Sequence, residues 1–302
     1  MSIQNFLISR FLKSRLKASL KIPADIRLHK GRKFLNQDRS KPDARVAVRS
    51  GVLAGVQVEW VEPIGLVGDK SAPVCMYTHG GGYIAGSVNS HRDMARYLAR
   101  LAHVRMLMVD YRLAPEHPFP AAREDALAVY QGLLDSGIAG SQIILGGDSA
   151  GGNLALVTAQ SIRDAGLASP CALVLFSPWL DMTHQSSTYQ TNAAKDAMLA
   201  RPLLEDAAAM YAPGMARTDE RISPLFGNLE GLPPCLTIVS QTEVLLDDSR
   251  GLHRKLQALG LRSTCLEWKN TPHAFAVMPS LLPEARDALR QTADFIARVR
   301  HH

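Results

Sequence analysis

The sequence predicts an α/β protein: a mostly parallel central sheet flanked by helices, with a helical cap. Three observations lead there. From residue 74 to the C-terminus, short apolar runs alternate with segments of helical periodicity, the pattern of strand-crossover-strand units. Two segments fall outside that rhythm, residues 1–40 and 184–226, and read as the cap over a core formed by residues 41–183 and 227–300. The composition, 46% hydrophobic and 21% charged over 302 residues, is that of an ordinary folded chain and excludes disordered and collagen-like classes.

Taken in order, residues 2–20 and 23–36 read as short basic amphipathic helices. Phe6, Leu7, Phe11, Leu12, Leu16 and Leu20 recur at helical spacing in the first, which predicts a helix docked on its own protein. Past Pro42 the pattern changes to period two, and 46–48 with 56–60 predict a strand pair. Strands are then expected at 74–78, 104–109, 143–146 and 172–176, with helices over 90–102, 120–135 and 150–165 between and after them. A polar interruption containing a helix over 201–211 precedes strand 236–239, helix 247–259, strand 263–268 and helix 283–299. There is no internal repeat. The terminal His301-His302 pair reads as a tag remnant and carries no argument.

Charge is unevenly placed. Residues 1–50 hold 13 Lys/Arg against 3 Asp, whereas the remainder holds 21 Lys/Arg against 25 carboxylates, so the net charge of +6 belongs to the N-terminus. Docking of that helix on its own protein, rather than on nucleic acid or a membrane, is the expectation. Cys75, Cys171, Cys235 and Cys265 lie far apart in apolar runs, which suits buried reduced thiols rather than disulfides or a metal cluster. No apolar run approaches the ~18 residues of a membrane span, and the N-terminus lacks a continuous signal-peptide core. A cytoplasmic protein is expected.

The chemistry is concentrated in two loops. Gly147-Asp148-Ser149-Ala150-Gly151 follows a predicted strand and opens a predicted helix, the strand-turn-helix setting in which G-x-S-x-G presents a nucleophile. Both glycines serve a tight turn where side chains would collide. A lone match of this kind carries a chance risk, so the second loop matters: His79-Gly80-Gly81-Gly82 directly follows strand 74–78. Acyl transfer builds negative charge on a carbonyl oxygen and needs backbone N–H donors aimed at it. Gly81, Gly82 and Ala150 are the candidates, and losing one such donor typically costs about 3–4 kcal/mol of transition-state stabilisation.

A serine hydroxyl becomes nucleophilic only when a base takes its proton, and an acid followed by a histidine is required downstream. His184 falls in the cap and His253 in a helix, whereas His273 lies in a loop after strand 263–268, making it the expected base. For the acid, Glu243 comes first after strand 236–239. Asp247 and Asp248 begin a helix, where they oppose the N-terminal dipole whatever their other role.

These residues resemble the hormone-sensitive-lipase-like branch of the α/β-hydrolase fold, the bacterial family IV esterases. The resemblance runs from about residue 74 to 275 through five ordered motifs: His79-Gly80-Gly81-Gly82-Tyr83, Asp110-Tyr111-Arg112-Leu113-Ala114-Pro115-Glu116, Gly147-Asp148-Ser149-Ala150-Gly151-Gly152-Asn153, Ser177-Pro178-Trp179-Leu180-Asp181 and Gly231-Leu232-Pro233-Pro234. It implies a serine carboxylesterase acting on short- to medium-chain esters through a Ser149 acyl-enzyme, with His273 as base and no metal or organic cofactor. One departure stands out: many members read Asp-Pro-Leu-x-Asp at the acid, and here the segment is Glu243-Val244-Leu245-Leu246-Asp247. Aligning the Leu and the following Asp puts Glu243 at the catalytic position, with Asp247 as the alternative.

His79, Asp148 and Asn153 are expected to support the loops around the elbow, Asp110, Tyr111 and Arg112 to hold a turn, and Trp60, Trp179 and Trp268 to pack. Tyr83 and Met210 are candidate substrate-lining residues. The partners implied are a small-molecule ester and water; a homodimer is the one macromolecular association entertained, and neither nucleic acid nor membrane contact is expected. Lipase-like activity, in which the basic helix over 2–20 also docks on anionic interfaces and admits longer chains, or amide hydrolysis would use the same residues. A binding-only receptor on this scaffold would lose a catalytic residue, and here serine, acid and histidine are all present.

Overall fold

The computed structural model describes residues 2–38 and 40–300; His301 and His302 lie outside the described residues. α1 (Ile3–Ser19) and α2 (Ala24–Leu35) come first, followed by β1 (Val46–Leu53) and β2 (Val56–Pro63). The alternating region runs β3 (Val74–Thr78), α3 (Val88–Ala102), β4 (Arg105–Val109), α4 (Ala121–Asp135), β5 (Ile143–Asp148), α5 (Ala150–Asp164) and β6 (Ala172–Phe176). α6 (Thr188–Thr191) and α7 (Arg201–Tyr211) interrupt it before β7 (Cys235–Ser240), α8 (Leu246–Ala258), β8 (Ser263–Trp268) and α9 (Pro283–Arg300).

The strands form one sheet in the order β1-β2-β4-β3-β5-β6-β7-β8. β1 and β2 make an antiparallel hairpin closed by Ala54 and Gly55, both at positive φ, as a two-residue turn matching strand twist requires. β2 is antiparallel to β4, and every pairing from β4 to β8 is parallel. The inner strands are apolar on both faces because helices cover both. Val74 and Met76 of β3 face α4, α5 and α8, whereas Cys75 and Tyr77 face α3 and α9. All four cysteines are free thiols, and burial pushes Cys75 and Cys235 up to about 12.

This strand order creates the position that matters for function. β3 lies between β4 and β5, so the chain crosses in opposite directions after it, and a crevice opens at the carboxyl ends of β3 and β5. Thr78 pairs with Gly147, which brings the glycine-rich loop and the serine turn side by side at that edge.

α1 forms and docks on its own protein as expected, but not through all the residues that predicted it: its buried residue is Asn5, donating through Nδ2 to the Asn270 carbonyl at 3.0 Å, with Ile8 packed on the α3/α9 core. The Ser2 N–H donates to Glu284 at the start of α9, at 2.7 Å. Phe6, Leu7 and Phe11 are exposed. The reason is chemical, since the surface that α1 meets offers a carboxylate and a loop carbonyl, and hydrogen-bonding groups must face them. Among the described residues, no helix is long and apolar enough to cross a membrane.

Candidate active site

Ser149 sits between β5 and α5 with φ 53° and ψ −122°, a strained conformation for a residue with a side chain. The turn is possible because its neighbours are glycines: a Cβ on Gly151 would lie 2.0 Å from the Thr78 carbonyl oxygen, and one on Gly147 would lie 2.3 Å from that of Gly151. Ser149 is 8% exposed. Its N–H donates to the Phe176 carbonyl at 2.9 Å, and its carbonyl accepts from the Trp179 N–H at 3.0 Å, so the β6 loop grips the turn from both sides.

That same loop also bonds Glu243, which follows β7, and the backbone next to His273, which follows β8. The Ser177 hydroxyl donates to Glu243 Oε1 at 2.8 Å and accepts from the Ala274 N–H at 3.1 Å. The Ser240 N–H also donates to Glu243 Oε1, at 2.6 Å. The other carboxylate oxygen, Oε2, bonds His273 Nδ1, while His273 Nε2 is buried with no hydrogen-bond partner. Burial works against charging His273, but Glu243, then Asp196 and Asp148, outweigh it and raise its pKa. Phe176 and Ser177 thus touch Ser149, Glu243 and the residue after His273.

Asp247 is elsewhere engaged. Its carboxylate accepts from the Ser187 hydroxyl at 2.7 Å and the Thr188 N–H at 3.2 Å, in the first turn of α8. Asp248 is buried and accepts from the N–H groups of Leu180 and Asp181 at 2.7 and 3.0 Å; burial raises its pKa well above the carboxylate range. His253 bonds Ser263, and His184 accepts from the Trp179 indole at 3.2 Å; neither bonds a carboxylate.

Across the crevice, Gly81 and Gly82 adopt φ +129° and +66°. A Cβ on Gly81 would strike the Ala85 carbonyl oxygen at 2.1 Å, so no other residue fits there. The N–H groups of Gly81 and Gly82 have no acceptor among the described residues, nor has that of Ala150 at the start of α5, where helix geometry leaves it unused. Asp148 Oδ1 holds this loop, accepting from the Gly80 N–H at 2.9 Å, the Tyr77 hydroxyl at 3.0 Å and His91 Nε2 at 3.0 Å. Burial opposes both charges, yet each partner outweighs it, lowering the pKa of Asp148 and raising that of His91. His79 stacks on Tyr111 and places Nδ1 2.9 Å from the Gly80 carbonyl; burial lowers its pKa to about 4.

Asn153 ties three segments together, accepting from the Tyr83 hydroxyl at 2.7 Å and donating to the carbonyls of Trp179 and Ile222 at 2.7 and 2.8 Å. Tyr83 is buried, and its ring stacks on Tyr211 of α7 at 3.6 Å. Met210 is half-buried on α7. Arg112 pairs with Asp125, and the Tyr111 hydroxyl donates to the His79 carbonyl at 2.6 Å, so the turn after β4 is braced against the glycine loop.

Ser177, His91, Asn192 and Asp196 also hold the site, and none of them stands out as a site residue in the sequence. Ser177 lies inside the Ser-Pro-Trp-Leu-Asp motif and was within reach. Asn192 donates to the Gln241 and Glu243 carbonyls, both at 3.0 Å, and Asp196 accepts from the Val244 N–H at 2.8 Å. No local signal marks these two, because their partners lie about fifty residues away.

Residues 75–277 match the family model described as alpha/beta hydrolase fold. The chain belongs to that family. An esterase of Acinetobacter venetianus is 34% identical over 290 residues, covering 94% of both chains, and an acetyl-hydrolase of Streptomyces hygroscopicus is 37% identical over 79% of this chain and 78% of its own. Among solved structures, the esterase EstE5 soaked with p-nitrophenyl butyrate superimposes with a TM-score of 0.91 at 35% identity, covering both chains fully. An esterase from the bacterial hormone-sensitive lipase family matches with a TM-score of 0.89 at 34% identity over 99% of each chain. The expected resemblance to that branch of the α/β-hydrolases therefore holds.

Proposed function

We propose that this α/β-hydrolase is a serine carboxylesterase that cleaves short- to medium-chain carboxylic esters. The observation that carries the reading is the buried Glu243–His273 pair, which commits Nδ1 and leaves Nε2 without a hydrogen-bond partner, while the segment 176–179 that grips the strained Ser149 turn also bonds Glu243 and the residue after His273. His273 Nε2 takes the Ser149 proton as the hydroxyl attacks the ester carbonyl, and Glu243 stabilises the imidazolium that forms. The N–H groups of Gly81, Gly82 and Ala150 receive the developing oxyanion. The alcohol leaves with the proton from His273. Water, deprotonated by the same imidazole, then hydrolyses the acyl-enzyme through a second oxyanion.

In this reading residues 1–40 and 184–226 form the cap. Four contacts support it: Arg27 of α2 pairs with Asp206 of α7, Arg32 donates to the Ile84 and to the Ala114 carbonyl, and Tyr211 stacks on Tyr83. Tyr83 acts by packing the floor of the acyl site, and Met210 supplies an apolar contact from α7. His79, Asp148 and Asn153 keep the loops in place.

The test compares wild type with Ser149→Ala on p-nitrophenyl acetate, butyrate, octanoate and palmitate. Release fastest on butyrate or octanoate, and abolished in the variant, is the expected result. Release that persists in Ser149→Ala, or none from wild type at any chain length, would defeat the proposal.

A further inference from the structure

The outward face of α1 is apolar at its N-terminal end and cationic towards its C-terminal end. Ile3, Leu7 and Phe11 follow one another at four-residue steps, with Phe6 beside them, and are 78%, 58%, 54% and 50% exposed. Further along the same side stand Arg10, Lys17 and, just past the helix, Lys21, all exposed. The segment Ile3–Ser19 holds four Lys/Arg and no carboxylate. The opposite face is fastened to the body through Asn5 on the Asn270 carbonyl and Ser2 on Glu284, with Ile8 packed on the α3/α9 core. The apolar side is therefore held outward by a docked helix.

We propose that this face of α1 docks the protein on an anionic lipid surface. Apolar side chains that leave water on reaching the acyl boundary provide the non-specific part, and Lys and Arg whose stems lie along that boundary meet the headgroup charge. Charge decides between this occupant and a second copy of the chain. Two such faces brought together would oppose their cations with no carboxylate on either helix, whereas an anionic bilayer complements them. Docking would also bring the interface next to the active site, since Asn5 bonds the loop that carries His273 three residues later.

The full chain carrying Ser149→Ala, which reads docking apart from any hydrolysis of the lipid, is pelleted with vesicles of phosphatidylglycerol and phosphatidylcholine, and with vesicles of phosphatidylcholine alone. Sedimentation with the anionic vesicles is expected, with binding at least about tenfold weaker to the neutral ones and falling as salt is raised. Ile3→Ser/Leu7→Ser and, separately, Lys17→Glu/Lys21→Glu should each weaken it by about tenfold or more. In the active background, Ile3→Ser/Leu7→Ser should hydrolyse dissolved p-nitrophenyl acetate at the wild-type rate. No sedimentation, equal binding to both vesicles, or binding that neither variant reduces would overturn the proposal. So would a dimer in sedimentation equilibrium that Ile3→Ser/Leu7→Ser dissolves while no vesicle is bound, because the face would then belong to a second copy.

Discussion

Two carboxylates four residues apart in one segment meet different partners, and that difference is the ground for proposing Glu243 rather than Asp247 as the catalytic acid. Glu243 is buried, receives the Ser177 hydroxyl and the Ser240 N–H on one oxygen, and presents the other to His273. Asp247 spends its carboxylate on Ser187 and Thr188. Glu243→Ala should lower kcat on p-nitrophenyl butyrate by about three to four orders of magnitude with the far-UV spectrum unchanged, while Asp247→Ala should stay near wild type; the reverse pattern would reassign the acid. In the proposed mechanism the same pair sets the pH dependence. His273 must be neutral to accept the serine proton, and its pKa is raised, so activity is lost as pH falls through a value above the ordinary 6.5. Glu243→Gln removes the charge that favours the imidazolium, and the acid limb of its kcat/KM profile should move to lower pH.

At the scale of elements, the glycine loop is held from two sides. Asp148 at the end of β5 grips it from beneath through the Gly80 N–H. From above, Arg32 of α2 donates to the Ile84 carbonyl at 2.7 Å and the Ala114 carbonyl at 2.8 Å while pairing with Glu116. The ion pair itself is exposed and is worth little; the two carbonyl contacts are what join α2 to the loop. Arg32→Ala should therefore speed proteolytic cleavage within residues 2–38 and lower kcat/KM several-fold, with a stability loss of only about 1–2 kcal/mol by denaturant titration. Unchanged proteolysis would show that α2 is held by other contacts.

For the whole molecule, buried histidines tie stability to pH. His184, packed on Trp179 and accepting from its indole, has its pKa lowered to about 4 by burial. The unfolded chain binds this proton near pH 6.5 and the folded one does not, so the contribution is present above 6.5 and is lost as pH falls towards 4. His79 acts in the same direction. His91 and His273, whose pKa values are raised, act oppositely. The Gln of His184→Gln retains an acceptor for Trp179 without titrating. Between pH 7 and pH 5 the wild type should lose about 2 kcal/mol more unfolding free energy than this variant, as urea titrations at the two pH values would measure; equal losses would exclude His184 as a source.

Much of this molecule is local in origin and is therefore legible in the chain. Strand and helix periods, the two-glycine turn at Ser149 and the glycine run after β3 each depend on residues within a few positions of one another, and the candidates Ser149 and His273 are picked out by their loops alone. The choice between Glu243 and Asp247 is different in kind, since it depends on Ser177, Ser187 and Thr188 from distant segments. Asn192 and Asp196 carry no mark of their grip on the acid loop. The face of α1 is the sharpest case: the period of its residues predicts a docked helix correctly, but which side is buried was decided by what it meets. Glu284 and the Asn270 carbonyl demand hydrogen bonds, so Asn5 turned inward and the apolar stripe was left facing outward.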